Sequence, residues 1–324
     1  MHILITGAAG FLGQRLTQAL LAAGQCRGEP LTRLTLVDQS TPPHPTAQGA
    51  VAITTTARDL TEDGAWDALL EGRPQVIYHL AAVVSSAAEA DLALGQAVNF
   101  DATRRLLEGC HQRGMSDTRV IMASSVAVYG GELPDVLDDM TALRPQSSYG
   151  SQKAMCELLI QDYSRRGLVD GLVLRLPTIV IRPGRPNAAA SSFASSILRE
   201  PLNGEDAVCP VSPELELFVM SPGKVVEALM HGAAVAADSL GDFRAFMLPG
   251  ITVSVAEMLD ALERKGGAEA RARVSFRPDE RVNAIVSSWP GRFRTAKADA
   301  LGFVGDSDFD AIVDAFMAEH TRAR

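Results

Sequence analysis

The chain has 324 residues, of which 47% are hydrophobic and 21% are charged, proportions typical of a globular protein with one large or two closely joined domains. Its formal net charge of −9, without any run of basic residues, argues against nucleic-acid binding. The four cysteines and six histidines show no metal-binding spacing, so we expect free thiols, no metal ion and a cytoplasmic location. No apolar stretch reaches about 18 residues and no basic leader opens the chain, which predicts neither a membrane span nor a signal peptide.

Short apolar runs alternate with stretches of helical periodicity through the first two thirds of the chain. The predicted strands cover residues 2–6, 33–38, 51–56, 75–80, 119–125 and 171–176. Strands separated by helices imply βαβ units with right-handed crossovers, and strands that are apolar throughout imply a sheet covered on both faces. We therefore predict an α/β fold with a Rossmann-type doubly wound parallel sheet over residues 1–177.

The composition changes after residue 177, where proline, serine and alanine become frequent. Helical periodicity returns at residues 222–238 and 254–265. We predict that residues 178–324 form a smaller α/β lobe that binds the substrate, with the chain crossing back to the first sheet.

A glycine-rich turn, ILITGAAGFLGQRL, lies between the first predicted strand and an amphipathic helix. In this context Gly7, Gly10 and Gly13 allow a tight turn and the close approach of a pyrophosphate to backbone N–H groups at the helix N-terminus. A plain strand-to-helix turn is the alternative. The motif predicts a dinucleotide cofactor.

Acidic residues follow the next two strands. Asp38 ends the second strand at about the distance from the glycines where a carboxylate binds ribose hydroxyls. It would repel a 2′-phosphate and no arginine follows it directly, so we predict NAD rather than NADP. Asp59 and Leu60, after the third strand, are an acidic and an apolar residue suited to the edge and the face of adenine. Both features also suit an ordinary turn at a strand end.

The segment SSYGSQKAM places Tyr149 and Lys153 four residues apart, on one face of a predicted helix. Such a pair is either a solvated helix edge or a general base whose pKa is tuned. A free phenol has a pKa near ~10, too high for a base at neutral pH, and a neighbouring positive charge stabilises the phenolate.

Three motifs occur in order: TGAAGFLG after the first strand, MASSVAVYG closing a later strand, and YGSQK opening a helix. Together they resemble the extended short-chain dehydrogenase/reductase family, of the NAD-dependent epimerase/dehydratase type, over essentially the whole chain. The resemblance implies that Tyr149 takes a hydroxyl proton as hydride leaves for the nicotinamide. It implies that Lys153 supplies a positive field and binds the nicotinamide ribose, and that Ser125 steadies the substrate oxygen. A strand-end cap is the alternative for Ser125.

The same resemblance implies further cofactor contacts near the carboxyl edge of the sheet. They lie in FLG after the glycine turn, YHLAAVV, VNFDATRRLLE and LRLPTIV. The residues concerned are Phe11, Leu12, Ala81, Asn99, Pro177 and Ile179. For Asn99, holding a water near the lysine and packing inside its helix are both open.

The later segments bear on the substrate. Glu216 stands where the family usually has an arginine that meets a diphosphate, which disfavours a nucleotide sugar. LRLPTIVIRPGRPNAAASSFASSILREPL, FVMSPGKVVEAL and SWPGRF resemble the branch of the family that acts on D-erythronate. That resemblance implies NAD-dependent oxidation of the 2-hydroxyl of this four-carbon sugar acid to 2-oxotetronate. The alternatives are a sugar or nucleotide-sugar epimerase or dehydrogenase of the same fold, and a protein that binds a dinucleotide without turnover.

A sugar acid with one carboxylate and several hydroxyls needs a cation, helix-end amides and short polar side chains. Arg182 and Arg185 lie just before a predicted helix start at Asn187, and Ser191 and Ser192 follow in its first turns. Either arginine can hold the carboxylate, and a solvated loop is the alternative for each of them. The predicted substrate contacts are Ser85, Ser125, Tyr149, Arg182, Asn187 and Ser191.

Two long predicted helices, at residues 92–112 and 149–166, carry wide apolar faces. In the resembled family such helices pair across a two-fold axis, which implies a homodimer. From the sequence alone they can equally cover the sheet.

Overall fold

The computed structural model describes residues 1–46, 51–184 and 189–322. Within these ranges the strands, in chain order, are β1 (His2–Thr6), β2 (Gln25–Cys26), β3 (Glu29–Pro30), β4 (Arg33–Asp38), β5 (Ala52–Ala57), β6 (Val76–His79), β7 (Arg119–Ser125), β8 (Asp170–Leu176), β9 (Thr178–Ile179), β10 (Ala207–Cys209), β11 (Glu216–Met220), β12 (Ala245–Met247), β13 (Ile251–Ser254) and β14 (Val274–Phe276).

The helices in the same ranges are α1 (Phe11–Ala23), α2 (Ala65–Glu71), α3 (Ser85–Ala90), α4 (Leu92–Gly95), α5 (Ala102–Gln112), α6 (Ser148–Arg165), α7 (Ser192–Leu202), α8 (Pro222–Ala234), α9 (Ala237–Leu240), α10 (Val255–Ala272), α11 (Glu280–Val286), α12 (Ala296–Ala300) and α13 (Phe309–Arg322). A π-helical turn (Gln96–Asp101) joins α4 to α5, and a 3₁₀ turn (Val126–Val128) follows β7.

The largest sheet has seven strands in the order β12-β8-β7-β6-β1-β4-β5, and every neighbouring pair is parallel. The first strand lies inside the sheet, with β4 on one side and β6 on the other, so the strand order reverses there. In doubly wound sheets ligands bind outside the carboxyl ends of the strands at this reversal. The predicted Rossmann-type sheet is confirmed.

Helices bury both faces of this sheet. Ile3 and Ile5 of β1 point to one face and pack in a cluster with Leu16 of α1, whereas Leu4 points to the other face and packs in a cluster with Leu106 of α5. All five side chains are fully buried, and each such burial stabilises the fold by about 1.5–3 kcal/mol. The sheet is therefore a rigid support for the loops at its carboxyl edge.

The later part of the chain forms a second apolar cluster around α7, α10 and α13, with Ile197, Leu259 and Val313 fully buried in it. Two small sheets, β13-β11-β9 and β10-β14, accompany these helices. Helix α8 and strand β12 instead lie against the first sheet, where α8 packs beside α1 and β12 pairs with β8. Within the described ranges, no helix is long and apolar enough to cross a membrane.

Candidate active site

The glycine turn is shaped by close backbone contacts. Gly7 has a φ of +72°, and a Cβ there would lie 2.7 Å from the backbone nitrogen of Ala81. A Cβ on Gly13 would overlap the carbonyl oxygen of Gly7. Gly10 is exposed and leaves the N-terminus of α1 without a covering side chain. The turn therefore has the open backbone that a pyrophosphate requires, at the reversal point of the sheet.

Other predicted cofactor residues meet at the same edge. Phe11 and Leu12 open α1, and Leu12 also packs against the core on that face of the sheet. The backbone N–H of Ala81, just beyond β6, donates to the Thr6 hydroxyl at the end of β1 across 3.3 Å. All three residues thus surround the glycine turn.

Asp38 lies at the end of β4, beside the glycine turn. Its carboxylate accepts hydrogen bonds from the backbone N–H groups of Ala9 at 3.0 Å and Gln39 at 2.7 Å. The residue is half-buried. The carboxylate therefore connects β4 to the glycine turn, so the strand-end role considered from the sequence is present and is compatible with a role toward ribose.

Asp59 and Leu60 follow β5, the next strand along this edge. Asp59 accepts hydrogen bonds from the hydroxyl and the backbone N–H of Thr61, at 2.7 and 2.8 Å, and these bonds lower its pKa. Leu60 is buried in the cluster that contains Trp66. The leucine side chain therefore belongs largely to the core. The Oδ2 atom of Asp59 makes no hydrogen bond to Thr61 and is the part of this pair that could contact adenine.

Tyr149 and Lys153 lie in the first turns of α6. The helix begins after Ser147, whose hydroxyl accepts the N–H of Gly150 at 3.1 Å. A Cβ on Gly150 would overlap the carbonyl oxygen of Ala127, so this glycine lets α6 approach the turn after β7. That approach brings Tyr149 to the end of β7, and the Lys153 ammonium lies 5.7 Å from the centre of the tyrosine ring.

The two serines at the end of β7 have different partners. Ser124 is buried and donates to the carboxylate of Glu157, which also forms a buried ion pair with Arg175 at 2.7 Å. Ser125 hydrogen-bonds to the Tyr149 side chain, and both residues line one cavity, which is described below. Of the two serines, Ser125 is therefore the one that pairs with the predicted base.

Burial dominates the ionisation of the tyrosine. It raises the pKa of Tyr149 to about 12, and the hydrogen bond with Ser125 opposes that rise. Burial also lowers the pKa of Lys153, against the opposing charges of Cys156 and Glu157. The lowering of the tyrosine pKa that the sequence suggested is not found in the protein alone, because desolvation disfavours the phenolate more strongly. A further positive charge beside the ring is needed to make Tyr149 a base at neutral pH.

Asn99 lies in the π-helical turn and is buried. Its side-chain oxygen accepts the N–H of Val83 at 2.8 Å, and its amide nitrogen donates to the carbonyl of Val83 at 3.0 Å and to Gln152 at 2.7 Å. Both amide hydrogens are therefore used inside the protein. The contacts hold the segment after β6 against α6. They agree with the interpretation that Asn99 has a packing role.

A cavity of about 130 Å³ opens beside Tyr149. It is smaller than the ~300–1,000 Å³ typical of pockets for drug-sized ligands. The described residues that line it are Val84, Ser85, Ser124, Ser125, Val126, Tyr149, Leu176, Pro177, Thr178, Ile179, Arg182, Ala189, Ser191 and Trp289. The structure thus brings together every described residue of the predicted substrate set, with Pro177 and Ile179 from the predicted cofactor set. Arg185 and Asn187 lie outside the described residues.

Arg182 has an unusual environment in this cavity. Its guanidinium nitrogen Nη2 is buried and has no hydrogen-bond partner among the residues described. Its backbone is fixed, since its N–H donates to Ser195 at 3.0 Å and its carbonyl accepts from Arg199 at 2.7 Å. Burial and the charge of Arg199 lower the pKa of Arg182. A buried cationic nitrogen without a partner is a ready site for an anion.

The helix that follows starts later than the sequence suggested. The predicted start was Asn187, but Ala189 and Ala190 are not helical and α7 begins at Ser192, with Ser191 as its N-cap residue. Alanine has a high helical propensity, so the alanines before Ser191 favoured an earlier helix start, although Ala189 and Ala190 lie outside the helix. The positive end of the α7 dipole is consequently beside the cavity.

Sequence reasoning did not select Trp289, which comes from the C-terminal part of the chain and lines the cavity. Its segment, SWPGRF, was noted only for its resemblance to related sequences. Glu216, expected to stand at a diphosphate position, instead forms a two-pronged ion pair with Arg292, with nitrogen–oxygen distances of 2.7 and 2.6 Å. This pair holds the segment that carries Trp289.

His79 is a candidate metal ligand by residue type. It is buried between the hydroxyls of Thr6 and Thr103, at 2.8 and 3.0 Å, and burial lowers its pKa to about 3. Among the residues described, no three His, Cys, Asp or Glu side chains are grouped so that they can hold a metal ion. His79 is therefore a neutral core residue.

Comparisons with known proteins agree with this geometry. Residues 3–232 match the model of the NAD dependent epimerase/dehydratase family. The chain is 49% identical to D-erythronate dehydrogenase of Cupriavidus necator, with 98% of each chain covered. It is 47% identical to D-erythronate dehydrogenase of Haemophilus influenzae, covering 98% of this chain and 99% of the relative.

Among solved structures, one described as a nucleoside-diphosphate-sugar epimerase from Agrobacterium tumefaciens has a TM-score of 0.95 and 41% identity, covering 100% of this chain and 95% of the other. A GalE-like L-threonine dehydrogenase from Cupriavidus necator has a TM-score of 0.86 at 22% identity, covering 99% and 100%, and shares the fold. The predicted family is confirmed, and the chain belongs to the NAD-dependent epimerase/dehydratase family.

Proposed function

We propose that this protein is an NAD-dependent dehydrogenase that oxidises the 2-hydroxyl of D-erythronate to 2-oxotetronate. The observation that carries the proposal is the small cavity lined by Tyr149, Ser125 and Arg182, whose buried guanidinium nitrogen Nη2 has no hydrogen-bond partner in the described part of the chain. The two relatives named D-erythronate dehydrogenase, at 49% and 47% identity over nearly whole chains, support it.

The substrate chemistry suits the spacing of these groups. In a 2-hydroxy acid the reacting carbon is bonded directly to the carboxylate, so a base and a cation have to face one small volume. Arg182 would hold the carboxylate, helped by the positive end of α7. Ser85 and Ser191 would meet the outer hydroxyls, and both line the cavity. Asn187 remains a predicted substrate contact.

Side chains of the protein would carry out the proton transfer. Tyr149 would accept the proton of the 2-hydroxyl, while Ser125 donates a hydrogen bond to the substrate oxygen. Lys153 would keep a positive charge near the tyrosine ring and would bind the nicotinamide ribose. NAD, when bound, would supply the hydride acceptor. Leu176 and Trp289 contribute apolar surface to the cavity beside these groups.

The cofactor would lie along the carboxyl edge of the sheet. The glycine turn of Gly7, Gly10 and Gly13 would receive the pyrophosphate, because its backbone leaves room that any side chain would fill. Asp38 would bind ribose hydroxyls and exclude a 2′-phosphate, which selects NAD. The further proposed contacts are Phe11, Leu12, Asp59, Leu60, Ala81, Asn99, Pro177 and Ile179.

The protein's organisation is also part of the proposal. Residues 1–177 would bind the cofactor and residues 178–324 would complete the substrate site, since Arg182, Ser191 and Trp289 all come from the second part. A reducing cytoplasm suits the four cysteines, which are all free and buried.

We also propose a homodimer formed through α4 and α6, since Leu106 and Leu107 of α5 are fully buried in the core. On α6, Leu158 is 65% exposed and Met155 is 40% exposed, and nearby Leu92 is 61% exposed. Apolar side chains clustered on one helix face are typical of helix pairing between subunits. Light scattering should show a dimer for the unmodified protein and a monomer for Leu158→Glu, and a monomer for both would refute this interface.

The test of the activity is an assay of NADH formation with purified protein and a panel of substrates. The panel contains D-erythronate, its stereoisomer L-threonate, glycerate, L-threonine and nucleotide sugars. Strong preference for D-erythronate is expected. Turnover of a nucleotide sugar without turnover of any sugar acid would favour the epimerase alternative. Cofactor binding without any turnover would favour the non-enzymatic one.

A further inference from the structure

We propose that Trp289 forms a fixed end wall of the substrate cavity and thereby limits the length of sugar acid that the enzyme accepts. The inference rests on the proposed function, because it concerns the same cavity. Apart from Tyr149, Trp289 is the one aromatic residue among the described residues lining the cavity. It comes from the C-terminal part of the chain, whereas Tyr149 lies in α6.

The tryptophan is held from two sides by residues 290–294, here called the strap. On one side the Thr252 hydroxyl of β13 donates to the carbonyl of Gly291 at 2.7 Å. On the other side the N–H of Leu137 donates to the carbonyl of Arg292 at 3.0 Å, and the N–H of Arg294 donates to the carbonyl of Leu137 at 2.7 Å. The strap therefore connects the β13-β11-β9 sheet to the loop that precedes α6.

An ion pair and aromatic packing complete the support. Arg292 binds both carboxylate oxygens of Glu216 in β11. Phe293 packs with its ring centre 4.8 Å from that of Phe218 and 5.5 Å from that of Tyr129, in a cluster that Trp289 also contacts. A bulky side chain anchored in this way does not swing aside readily, so it sets the size of the cavity.

The consequence is a limit on chain length. Arg182, which would hold the carboxylate, and Trp289 both line this cavity of about 130 Å³. Adding carbons to the acid increases the volume it needs beyond the carboxylate. The indole occupies part of the space available in so small a cavity, and removing it provides room for a longer acid.

The experiment compares kcat/KM for aldonic acids of four, five and six carbons in the unmodified protein, Trp289→Phe and Trp289→Ala. We expect the preference for four over six carbons to fall at least about 10-fold in Trp289→Ala, the scale of discrimination that pocket shape provides. Trp289→Phe should keep most of the preference. NAD affinity should be unchanged in both variants, because Trp289 is far from the glycine turn.

A second set of variants tests the strap without altering the cavity lining. Glu216→Arg and Arg292→Glu should each weaken the preference for four carbons, and the double variant, which reverses the ion pair, should restore it. The inference is overturned if Trp289→Ala keeps the same ratio of four- to six-carbon activity as the unmodified protein. If Trp289→Ala does not fold, as judged by lost NAD binding, the strap variants replace it as the test. An unchanged ratio in the strap variants then overturns the inference. If the unmodified protein oxidises no aldonic acid, the proposed function itself has failed and the inference with it.

Discussion

Replacing Arg182 by methionine should weaken catalysis while stabilising the unliganded protein. The guanidinium nitrogen Nη2 is buried without a partner among the residues described. A buried polar group that makes no hydrogen bond costs about 1–3 kcal/mol. Methionine has a similar length and no such group, so Arg182→Met should raise the free energy of unfolding by about 1 kcal/mol.

The same substitution should leave the substrate carboxylate buried without a cation. Truncating one partner of a buried charge pair costs about 2–5 kcal/mol, so kcat/KM for D-erythronate should fall by at least about 30-fold. Most of the loss should appear as a raised KM, because the carboxylate is bound equally in the ground state and the transition state. NAD affinity should not change.

Arg199 offers the matched control, since it is a buried arginine next to Arg182 with its donors in use. It donates to the carbonyl of Arg182 at 2.7 Å and to Glu200 at 2.6 Å. Arg199→Met should therefore lower the free energy of unfolding. Chemical denaturation of the two variants, together with steady-state kinetics, checks both signs. If Arg182→Met destabilises the protein as Arg199→Met does, or keeps kcat/KM within about 3-fold, the assignment of the carboxylate site is refuted.

Three further predictions concern the base and the cofactor. Tyr149→Phe should bind NAD as tightly as the unmodified protein by calorimetry while turnover falls by about 100-fold or more; surviving activity would show that the base is another group. Ser125→Ala removes the hydrogen bond that lowers the pKa of Tyr149, so the rise of kcat with pH should move to higher pH, and an unmoved profile would contradict the pairing. Asp38→Ala removes the carboxylate that would repel a 2′-phosphate, so the ratio of NADP to NAD affinity should rise at least about 10-fold, and a constant ratio would exclude Asp38 from the ribose site.

The features that sequence reasoning located are those whose chemistry requires a local pattern. The turn that joins β1 to α1 is encoded by a short, local motif, because its close backbone contacts favour glycine at positions 7, 10 and 13. The four-residue spacing of Tyr149 and Lys153 is likewise fixed by one turn of α6. Six of the seven strands of the first sheet were located to within a residue or two, most of them because burial on both faces leaves apolar runs, whereas β12 was not predicted.

Long-range features were not accessible in this way. Trp289 reaches the cavity only because Leu137, Thr252 and Glu216 hold its segment, and these residues are remote from it in the chain. The start of α7 was misplaced because alanines before Ser192 have helical propensity and the loop conformation depends on tertiary contacts. The pKa of Tyr149 also depends on burial, which no short motif reports.

That pKa connects the site's architecture to its mechanism. In the protein alone burial keeps Tyr149 protonated, with a pKa of about 12, and it also lowers the pKa of the Lys153 ammonium. A site with these properties avoids holding a buried phenolate, which would be costly without compensation. It becomes basic only when more positive charge arrives at the ring. We therefore expect proton removal by Tyr149 to depend on occupancy of the proposed cofactor groove, so that the substrate hydroxyl would lose its proton only where its hydride can also leave.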